Sequence, residues 1–279
     1  MKGQVYKVQT DSFAVKLNNE ILTVKARGLF KKNNQDIVVG DYVDVENGVI
    51  SRVYERANRL IRPSVCNVDM VVLLISPQPK PDFYLIDKVL VNAMKEGIEV
   101  VFVINKIDSE NTLLDQLSQY SHLGIKTYQV SAKLKVGVNE LKEKLKNKLS
   151  VLVGQSAVGK TSLVNAMFNL NLKTGDLSSI GRGKHTTTRS EIFECEDIKV
   201  VDSPGFAVID ADVSLDEFPQ CYPEYFEVSN DCKFRGCSHT SEPNCKVKEL
   251  VEKGVYSLER YNRYVEIYKT IQERRKIYE

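Results

Sequence analysis

The sequence predicts a parallel α/β domain that follows a small all-β barrel and precedes a helical, cysteine-bearing domain. Short alternating strands fill residues 1–63, apolar runs alternate with helical stretches over 64–206, and cysteines crowd into 207–279 ahead of a long helical run. Buried strands that alternate with helices are typical of a parallel sheet covered on both faces. We therefore expect domain boundaries near residues 63 and 206.

The first 63 residues read as strands without a long helical pattern. Apolar side chains alternate in FAVKL, residues 13–17, and the pair Asn47-Gly48 between DYVDVE and VISRVYER is a strong hairpin signal. The pattern predicts a small barrel, OB-like or SH3-like, and we expect the OB-like form because such barrels often bind RNA. Residues 1–62 carry eleven Lys/Arg against seven Asp/Glu. That excess suits a polyanion such as RNA, and a solvated charged face explains it equally well.

The α/β part begins with a continuous apolar run over residues 70–75. A proline-marked loop and a helical stretch over 83–95 follow it. The alternation continues through the strands EVVFVI, TYQVS and SVLVG and the helical patterns VNELKEKLKNKL and TSLVNAMF. The final helical run, residues 257–279, places four apolar or aromatic residues on one stripe: Tyr261, Val265, Tyr268 and Ile271.

A phosphate-binding loop stands between the last of these strands and its helix. GQSAVGKT fits G-x-x-x-x-G-K-[ST], and the strand-to-helix position is the context that this motif requires. Its glycines permit a nest of backbone N–H groups that faces phosphate oxygens. Lys160 can reach the β- and γ-phosphates, and Thr161 can offer a hydroxyl to Mg²⁺. The predicted phosphate-binding residues are Gly154, Gln155, Ser156, Ala157, Val158, Gly159, Lys160, Thr161 and Ser162.

Two later stretches match the parts of a nucleotide site that sense the γ-phosphate. The run DSPG ends an apolar strand, so Asp202 can hold Mg²⁺ and Gly205 can offer its N–H to the γ-phosphate. Between the phosphate loop and DSPG lies SSIGRGKHTTTRSEIF, which is glycine-rich, basic and full of hydroxyls. Either Thr186 or Thr187 is the candidate Mg²⁺ ligand there, and the pattern does not choose between them.

The run NKID, residues 105–108, follows a buried strand and predicts a guanine-reading loop. Asp108 can accept two hydrogen bonds from the N1–H and N2–H₂ groups of guanine, a donor pair that adenine lacks. Asn105 would brace the neighbouring loops, and the Lys106 stem would cover the base. Downstream, Ser131, Ala132 and Lys133 follow a short strand, where a backbone N–H can meet the guanine O6.

These parts stand in a rotated order along the chain. The base-reading loops precede the phosphate loop, whereas an ordinary GTPase begins with the phosphate loop. A sheet permits such a rearrangement when the original chain ends lie close together and can be joined. The sequence therefore predicts a circularly permuted P-loop GTPase domain that binds GTP with Mg²⁺.

One catalytic part of many GTPases is absent from its usual place. Phe206 follows the DSPG glycine, where many GTPases carry a glutamine that orients water. We therefore expect slow intrinsic hydrolysis. His185 is the candidate replacement, able to hold or polarise the attacking water; the alternative is an exposed loop histidine.

A metal site is predicted after residue 206. Cys232-x4-Cys237-x-His239-x5-Cys245 offers three thiolates and one imidazole, the chemistry of a closed structural Zn²⁺ site. In a reducing cytoplasm such a cluster favours a metal over disulfides. Incidental buried cysteines are the alternative. Cys66, Cys195 and Cys221 are expected to be ordinary packed thiols.

Together these motifs resemble the bacterial RsgA family of small-ribosomal-subunit-dependent GTPases. The resemblance rests on NKID, SAK, GQSAVGKTS, GKHTTTR and DSPG in this order, followed by the Cys₃His set, and it covers nearly the whole chain. It implies an OB-fold that binds rRNA, a circularly permuted GTPase domain and an α-helical, zinc-binding C-terminal domain. It also implies a role in late maturation of the 30S subunit, hydrolysis that the subunit stimulates, and His185 as the histidine implicated in hydrolysis.

Other functions stay open on the sequence. One alternative is a permuted GTPase that acts on the large subunit, although a related group of that kind lacks the barrel and the zinc set. Another is an RNA-binding adaptor that holds GTP without useful turnover, which Phe206 keeps open. We expect a cytoplasmic monomer, because the chain shows no apolar signal core, no run of about 18 apolar residues and no strong self-pairing pattern.

Overall fold

The computed structural model describes residues 1–28, 30, 36–109, 113–170, 190–202 and 209–278. Five strands at the N-terminus close into a barrel: β1 (Lys2–Val8), β2 (Phe13–Leu17), β3 (Glu20–Ala26), β4 (Tyr42–Glu46) and β5 (Val49–Val53). The pairing runs β1-β2-β3-β5-β4 and returns to β1, with β3 and β5 parallel. This closed five-stranded order is the OB-like arrangement, so the choice between the two predicted barrels is settled.

The barrel's local structure follows its sequence pattern. The predicted hairpin joins β4 to β5, and Asn47 and Gly48 both have positive φ (49° and 75°), as a tight turn between twisted strands requires. Alternate residues point inward, and the barrel core includes Val5, Val15 and Ile50, each fully buried.

A short two-stranded sheet, β6 (Arg59–Leu60) and β7 (Val65–Cys66), leads into the α/β domain. Its strands are β8 (Met70–Ile75), β9 (Glu99–Ile104), β10 (Lys126–Gln129), β11 (Leu149–Val153), β12 (Glu191–Cys195) and β13 (Ile198–Asp202). They lie in the order β10-β9-β8-β11-β13-β12, and all neighbours are parallel except the antiparallel pair β12–β13. All six residues of β8 are buried, as the continuous apolar run predicts for a strand covered on both faces.

Helices cover this sheet on both sides. They are α1 (Phe83–Lys95), the single turn α2 (Leu114–Leu117) continued by a 3-10 segment (Ser118–Leu123), α3 (Val138–Leu145) and α4 (Lys160–Phe168). The bounds predicted for α1 are confirmed. The helix predicted over residues 138–149 is too long, because Asn147 turns the chain with φ of 57° and Leu149 begins β11.

The barrel is attached to the edge of the α/β sheet. Strand β1 pairs antiparallel with β12 at Lys7 and Glu191, so both units share one 11-stranded sheet. Beside this pairing, the Glu194 carboxylate accepts hydrogen bonds from Tyr6 Oη (2.5 Å) and Lys16 Nζ (2.6 Å).

The C-terminal part is helical. It contains α5 (Pro223–Glu227), α6 (Lys246–Glu252), α7 (Leu258–Tyr278) and two 3-10 segments, Phe218–Cys221 and Ser229–Asp231. Phe218, Tyr222, Tyr225 and Tyr264 form its aromatic core. The predicted stripe on the last helix is partly confirmed: Ile271 is buried in the core as predicted, and Tyr261, Val265 and Tyr268 are partly buried at its margin. Tyr264 and Ile267, which the prediction left out, are more deeply buried than any of these four residues.

Buried ion pairs join this domain to α1. Asp87 is fully buried and accepts hydrogen bonds from Arg260 Nη1 and Arg263 Nε of α7, at 2.8 and 2.5 Å. Arg260 also pairs with Glu224 at 2.7 Å. In the part of the chain described, no helix has the length and apolar character needed to cross a membrane.

Candidate functional site

The phosphate loop follows β11 and leads into α4, at the carboxyl end of the parallel strands. Its two motif glycines sit where a side chain does not fit. A Cβ on Gly154 would lie 2.4 Å from the Leu74 carbonyl oxygen, and one on Gly159 would lie 2.4 Å from Asn105 Nδ2. Gly159 also has a φ of +98°, which L side chains rarely adopt. The close approach of the strand and of Asn105 therefore explains both glycines.

Asn105 joins three loops of the site. Its side chain is buried; Nδ2 donates to the Val158 carbonyl oxygen at 3.0 Å, and Oδ1 accepts from the Ala132 N–H at 3.1 Å. One amide therefore connects the NKID loop with the phosphate loop and with the Ser131-Ala132-Lys133 loop. The prediction that Asn105 braces neighbouring loops matches this geometry.

Asp108 is exposed, and its carboxylate is held from one side. Ser131 Oγ donates to Asp108 Oδ1 at 2.6 Å, and the same hydroxyl oxygen accepts from the Leu134 N–H. The Ser131 hydrogen bond, together with a backbone N–H, lowers the pKa of Asp108 below its ordinary value. The Asp108 carboxylate is therefore ionised, can only accept hydrogen bonds, and is held at the same end of the sheet as the phosphate loop.

Lys106 spans the gap between the same loops. It has a φ of 64°, and its Nζ donates to the carbonyl oxygens of Ala157 (2.8 Å) and Gln78 (2.5 Å). The Gln78 carbonyl also accepts from the buried Ser76 hydroxyl at 2.6 Å. No motif predicted this contribution of the loop at residues 76–82; the sequence marks that loop only by the prolines between β8 and α1.

Some of the remaining residues predicted to bind the nucleotide lie near these loops, and others fall outside the residues that the structure describes. Lys160 Nζ donates to the carbonyl oxygens of Gly154 and Gln155, and Thr161 and Ser162 open α4. Ser156 and Lys133 are exposed. Asp202 ends β13 opposite Leu152. His185, Thr186, Thr187 and Gly205 lie outside the described residues.

The four predicted metal ligands come together in the C-terminal domain. Their ligand atoms, from Cys232, Cys237, His239 and Cys245, lie within 4.8 Å of one another. His239 Nδ1 is 3.6 Å from Cys232 Sγ and 3.4 Å from Cys245 Sγ. A tetrahedral Zn²⁺ with Zn–S bonds of about 2.3 Å separates its ligands by roughly 3.8 Å. The residues present therefore fit such an ion, with His239 Nδ1 as the nitrogen ligand.

Neighbouring groups hold the ligand loops in place. Tyr261 Oη donates to the His239 carbonyl oxygen at 2.9 Å, and Tyr264 Oη donates to that of Ser238 at 2.8 Å. Burial lowers the pKa of His239, which keeps the imidazole in the neutral form that binds metals. Burial also raises the pKa of the Cys237 thiol to about 12, a cost that a bound cation would reverse.

Comparisons with known proteins decide the family. A sequence model described as the RsgA GTPase matches residues 53–212, more than half of the chain, and one described as the RsgA N-terminal domain matches residues 2–50. The chain belongs to the RsgA GTPase family. The RsgA resemblance inferred from the motifs is thereby confirmed.

Full-length relatives agree with the RsgA assignment. The small ribosomal subunit biogenesis GTPase RsgA of Clostridium acetobutylicum is 38% identical over 287 residues, and that of Geobacillus thermodenitrificans is 37% identical over 292 residues. Each alignment covers 99% of both chains. As an RsgA GTPase, the chain is a hydrolase that acts on GTP.

Solved structures agree on the RsgA fold. YjeQ from Thermotoga maritima superposes with a TM-score of 0.81 at 35% identity, covering 97% of this chain and 98% of that one. YloQ, described as a circularly permuted GTPase, gives a TM-score of 0.77 at 31% identity, covering 98% and 95%. The predicted fold class, a permuted P-loop GTPase domain between an OB-like barrel and a helical domain with a Cys₃His cluster, is confirmed.

Proposed function

We propose that this GTPase assists late maturation of the small (30S) ribosomal subunit. The observation that carries the proposal is full-length similarity to proteins named small ribosomal subunit biogenesis GTPase RsgA. The hydrogen bond by which Asn105 connects the NKID loop to the phosphate loop supports it. GTP and GDP are its nucleotides, and the subunit with its rRNA is its macromolecular partner. Acting there, the protein works in the cytoplasm and as a monomer.

The nucleotide is held by the two loop sets that Asn105 connects. Asp108 accepts from guanine, while the Lys106 stem and the loop at residues 131–133 enclose the base. Residues 154–162 surround the phosphates, and Lys160 leaves its own loop carbonyls to meet the β- and γ-phosphate oxygens. The hydroxyl of Thr161, that of Thr186 or Thr187, and the Asp202 carboxylate are hard oxygen donors of the kind that Mg²⁺ prefers. An Mg²⁺ ion held by these groups would neutralise charge on the β- and γ-phosphates.

Hydrolysis is slow until the subunit is bound. Phe206 offers no group to orient water, so His185 takes that part, and Gly205 donates its N–H to the γ-phosphate. Stimulated hydrolysis would time how long the protein stays on the subunit.

Each of the three domains has its own role in this proposal. Residues 1–63 form the barrel that contacts rRNA, residues 64–206 the GTPase domain, and residues 207–279 the zinc-binding domain. One Zn²⁺ on Cys232, Cys237, His239 and Cys245 is structural, because four protein ligands leave no open position for a substrate.

Phosphate release from GTP tests the proposal. The purified protein is measured alone, with small subunits and with large subunits, beside a Lys160→Ala variant. Strong stimulation by small subunits alone, lost in Lys160→Ala, is the expected result. Tight GTP-dependent binding to small subunits without stimulation would instead support the adaptor function, and His185 would lose its catalytic part. Stimulation by large subunits alone would contradict the proposal.

A further inference from the structure

An exposed face of the barrel carries a row of alternating tyrosines and cations. Lys2 Nζ lies 5.2 Å from the ring centre of Tyr42 and 4.6 Å from that of Tyr54, and the Arg52 guanidinium lies 4.8 Å from the Tyr54 ring. The order across β1, β4 and the end of β5 is therefore Tyr42, Lys2, Tyr54, Arg52. We call these four residues the tyrosine ladder.

The tyrosine ladder lies on the surface and not in the barrel core. Tyr42 is 38% exposed, Lys2 and Arg52 are exposed, and Tyr54 is half-buried. The neighbouring residues Val43, Val45 and Ile50 supply the core beneath it. Removing a ladder ring should therefore cost little folding stability, so packing alone does not explain two tyrosines at these positions.

The two cations of the tyrosine ladder remain available for an anionic partner. Among the described residues, neither Lys2 nor Arg52 forms an ion pair with a carboxylate. Asp44 lies in register with Lys2 on β1 and with Arg52 on β5, and its carboxylate accepts a hydrogen bond from the Tyr54 hydroxyl at 3.0 Å, which fixes the orientation of that ring. Burial, and next the charge of Asp69 outside these strands, raises the pKa of Tyr42. Among the described residues of the row itself, two cations outnumber one carboxylate.

We propose that the tyrosine ladder is the surface on which the barrel binds unpaired nucleotides of RNA. Tyrosine rings at a strand face can stack on bases when the cations that lie over them turn to the phosphates that link those bases. A duplex hides its base faces, so this surface should favour single strands. The inference deepens the proposed rRNA contact and rests on it, because it names the residues and the form of RNA.

Stacking and charge can be separated by experiment. The full-length protein is titrated against a labelled 12-nucleotide oligouridylate, a 12-base-pair RNA duplex, and small subunits with a non-hydrolysable GTP analogue. The variants are Tyr42→Ala, Tyr54→Ala and Lys2→Ala, with Tyr42→Phe as the conservative substitution. Ile21→Ser is the matched control, because Ile21 is 59% exposed on another strand of the same barrel.

Each Tyr→Ala variant should weaken oligouridylate binding by roughly 5- to 150-fold, the size of one lost base stack, without changing its salt dependence. Lys2→Ala should reduce the slope of log affinity against log salt by about 0.7, one phosphate contact on a single strand. Tyr42→Phe and Ile21→Ser should bind like the parent protein. Subunit binding should weaken in the same order.

Three results would overturn the inference: equal binding by the Tyr→Ala variants and the parent, tighter binding to duplex than to single strand, or a loss in Tyr42→Phe as large as in Tyr42→Ala. Phosphate release with small subunits keeps the two proposals apart. If the parent is stimulated while the Tyr→Ala variants bind RNA normally, the ladder inference fails and the proposed function stands.

Discussion

Asn105 is the residue on which the nucleotide site depends most directly. Its amide reaches the phosphate loop at the Val158 carbonyl and the 131–133 loop at the Ala132 N–H, so it fixes the spacing between these two loops. Asn105 is predictable from its place in NKID after a buried strand. Gln78 is not predictable, because its contribution is a backbone carbonyl that any residue type could supply.

Asn105→Ala should weaken GTP and GDP binding together. The substitution removes two hydrogen bonds and leaves the Val158 carbonyl without its Asn105 donor, which costs about 1–3 kcal/mol, or roughly 5- to 150-fold in affinity. Fluorescent-nucleotide titration measures the loss, with the exposed Asn139→Ala as control. An Asn105→Ala protein that binds both nucleotides normally would show that the loops hold their spacing without this amide.

Ser131→Ala should raise the pKa of Asp108 toward its ordinary value. The Ser131 hydrogen bond favours the charged carboxylate and so depresses the pKa of Asp108 in the folded protein. The stability that this hydrogen bond contributes to the folded state is present above the ordinary Asp pKa and is lost as the pH falls through the depressed value. An NMR titration of the Asp108 carboxyl carbon in both proteins measures the change. An identical Asp108 pKa in the two proteins would contradict the assigned cause.

At the scale of elements, the pattern predicted where strands and helices lie better than where they end or which face they bury. Helix α1 runs over the predicted residues because Asp82 caps it and the apolar spacing is regular. Helix α3 ends early because Asn147 adopts a left-handed turn that periodicity does not reveal. On α7 the buried stripe includes Arg260, which apolar spacing cannot select because its burial depends on Asp87 and Glu224.

Asp87→Asn should loosen the contact between α1 and α7. The substitution removes the buried carboxylate that pairs with the guanidinium groups of Arg260 and Arg263. The free energy of unfolding should fall by about 3–5 kcal/mol, because both cations lose this partner in a buried interface. Chemical unfolding measures the loss, with the exposed Asp115→Asn as a control expected to stay within about 0.5 kcal/mol. A loss for Asp87→Asn no larger than that control would mean that the pairs contribute no net stability.

Metal removal should unfold the C-terminal domain first. Without an ion, the buried thiols of Cys237 and Cys245, the partly buried thiol of Cys232 and the His239 ring face one another with no charge to organise them, and metal-binding energy is folding energy in such sites. A chelator should lower the near-ultraviolet circular dichroism of Tyr261 and Tyr264, whose hydroxyls bond the metal loop. Metal analysis should give one zinc per chain; an unchanged tyrosine signal after its removal would contradict a structural ion.

At the scale of the whole molecule, the permuted order decides what the GTPase domain is connected to. Among the described strands, β8, β9 and β10 lie on one side of β11, and β13 and β12 lie on the other. The predicted base-reading loops at residues 105–108 and 131–133 follow β9 and β10. The order of motifs was enough to predict this permutation. The single pairing of β1 with β12, which attaches the barrel, was not predictable, because edge pairing between domains leaves no pattern in either strand.

The central claim is that a guanine loop placed ahead of the phosphate loop reads the nucleotide that this protein hydrolyses on the small subunit. The most direct test compares phosphate release from GTP and xanthosine triphosphate by the parent and an Asp108→Asn variant, with small subunits present. Xanthine offers an oxygen where guanine offers its N2 amine, so an amide in place of the carboxylate should move activity from GTP to xanthosine triphosphate. If Asp108→Asn keeps the parent's preference for GTP, the account of the site is wrong.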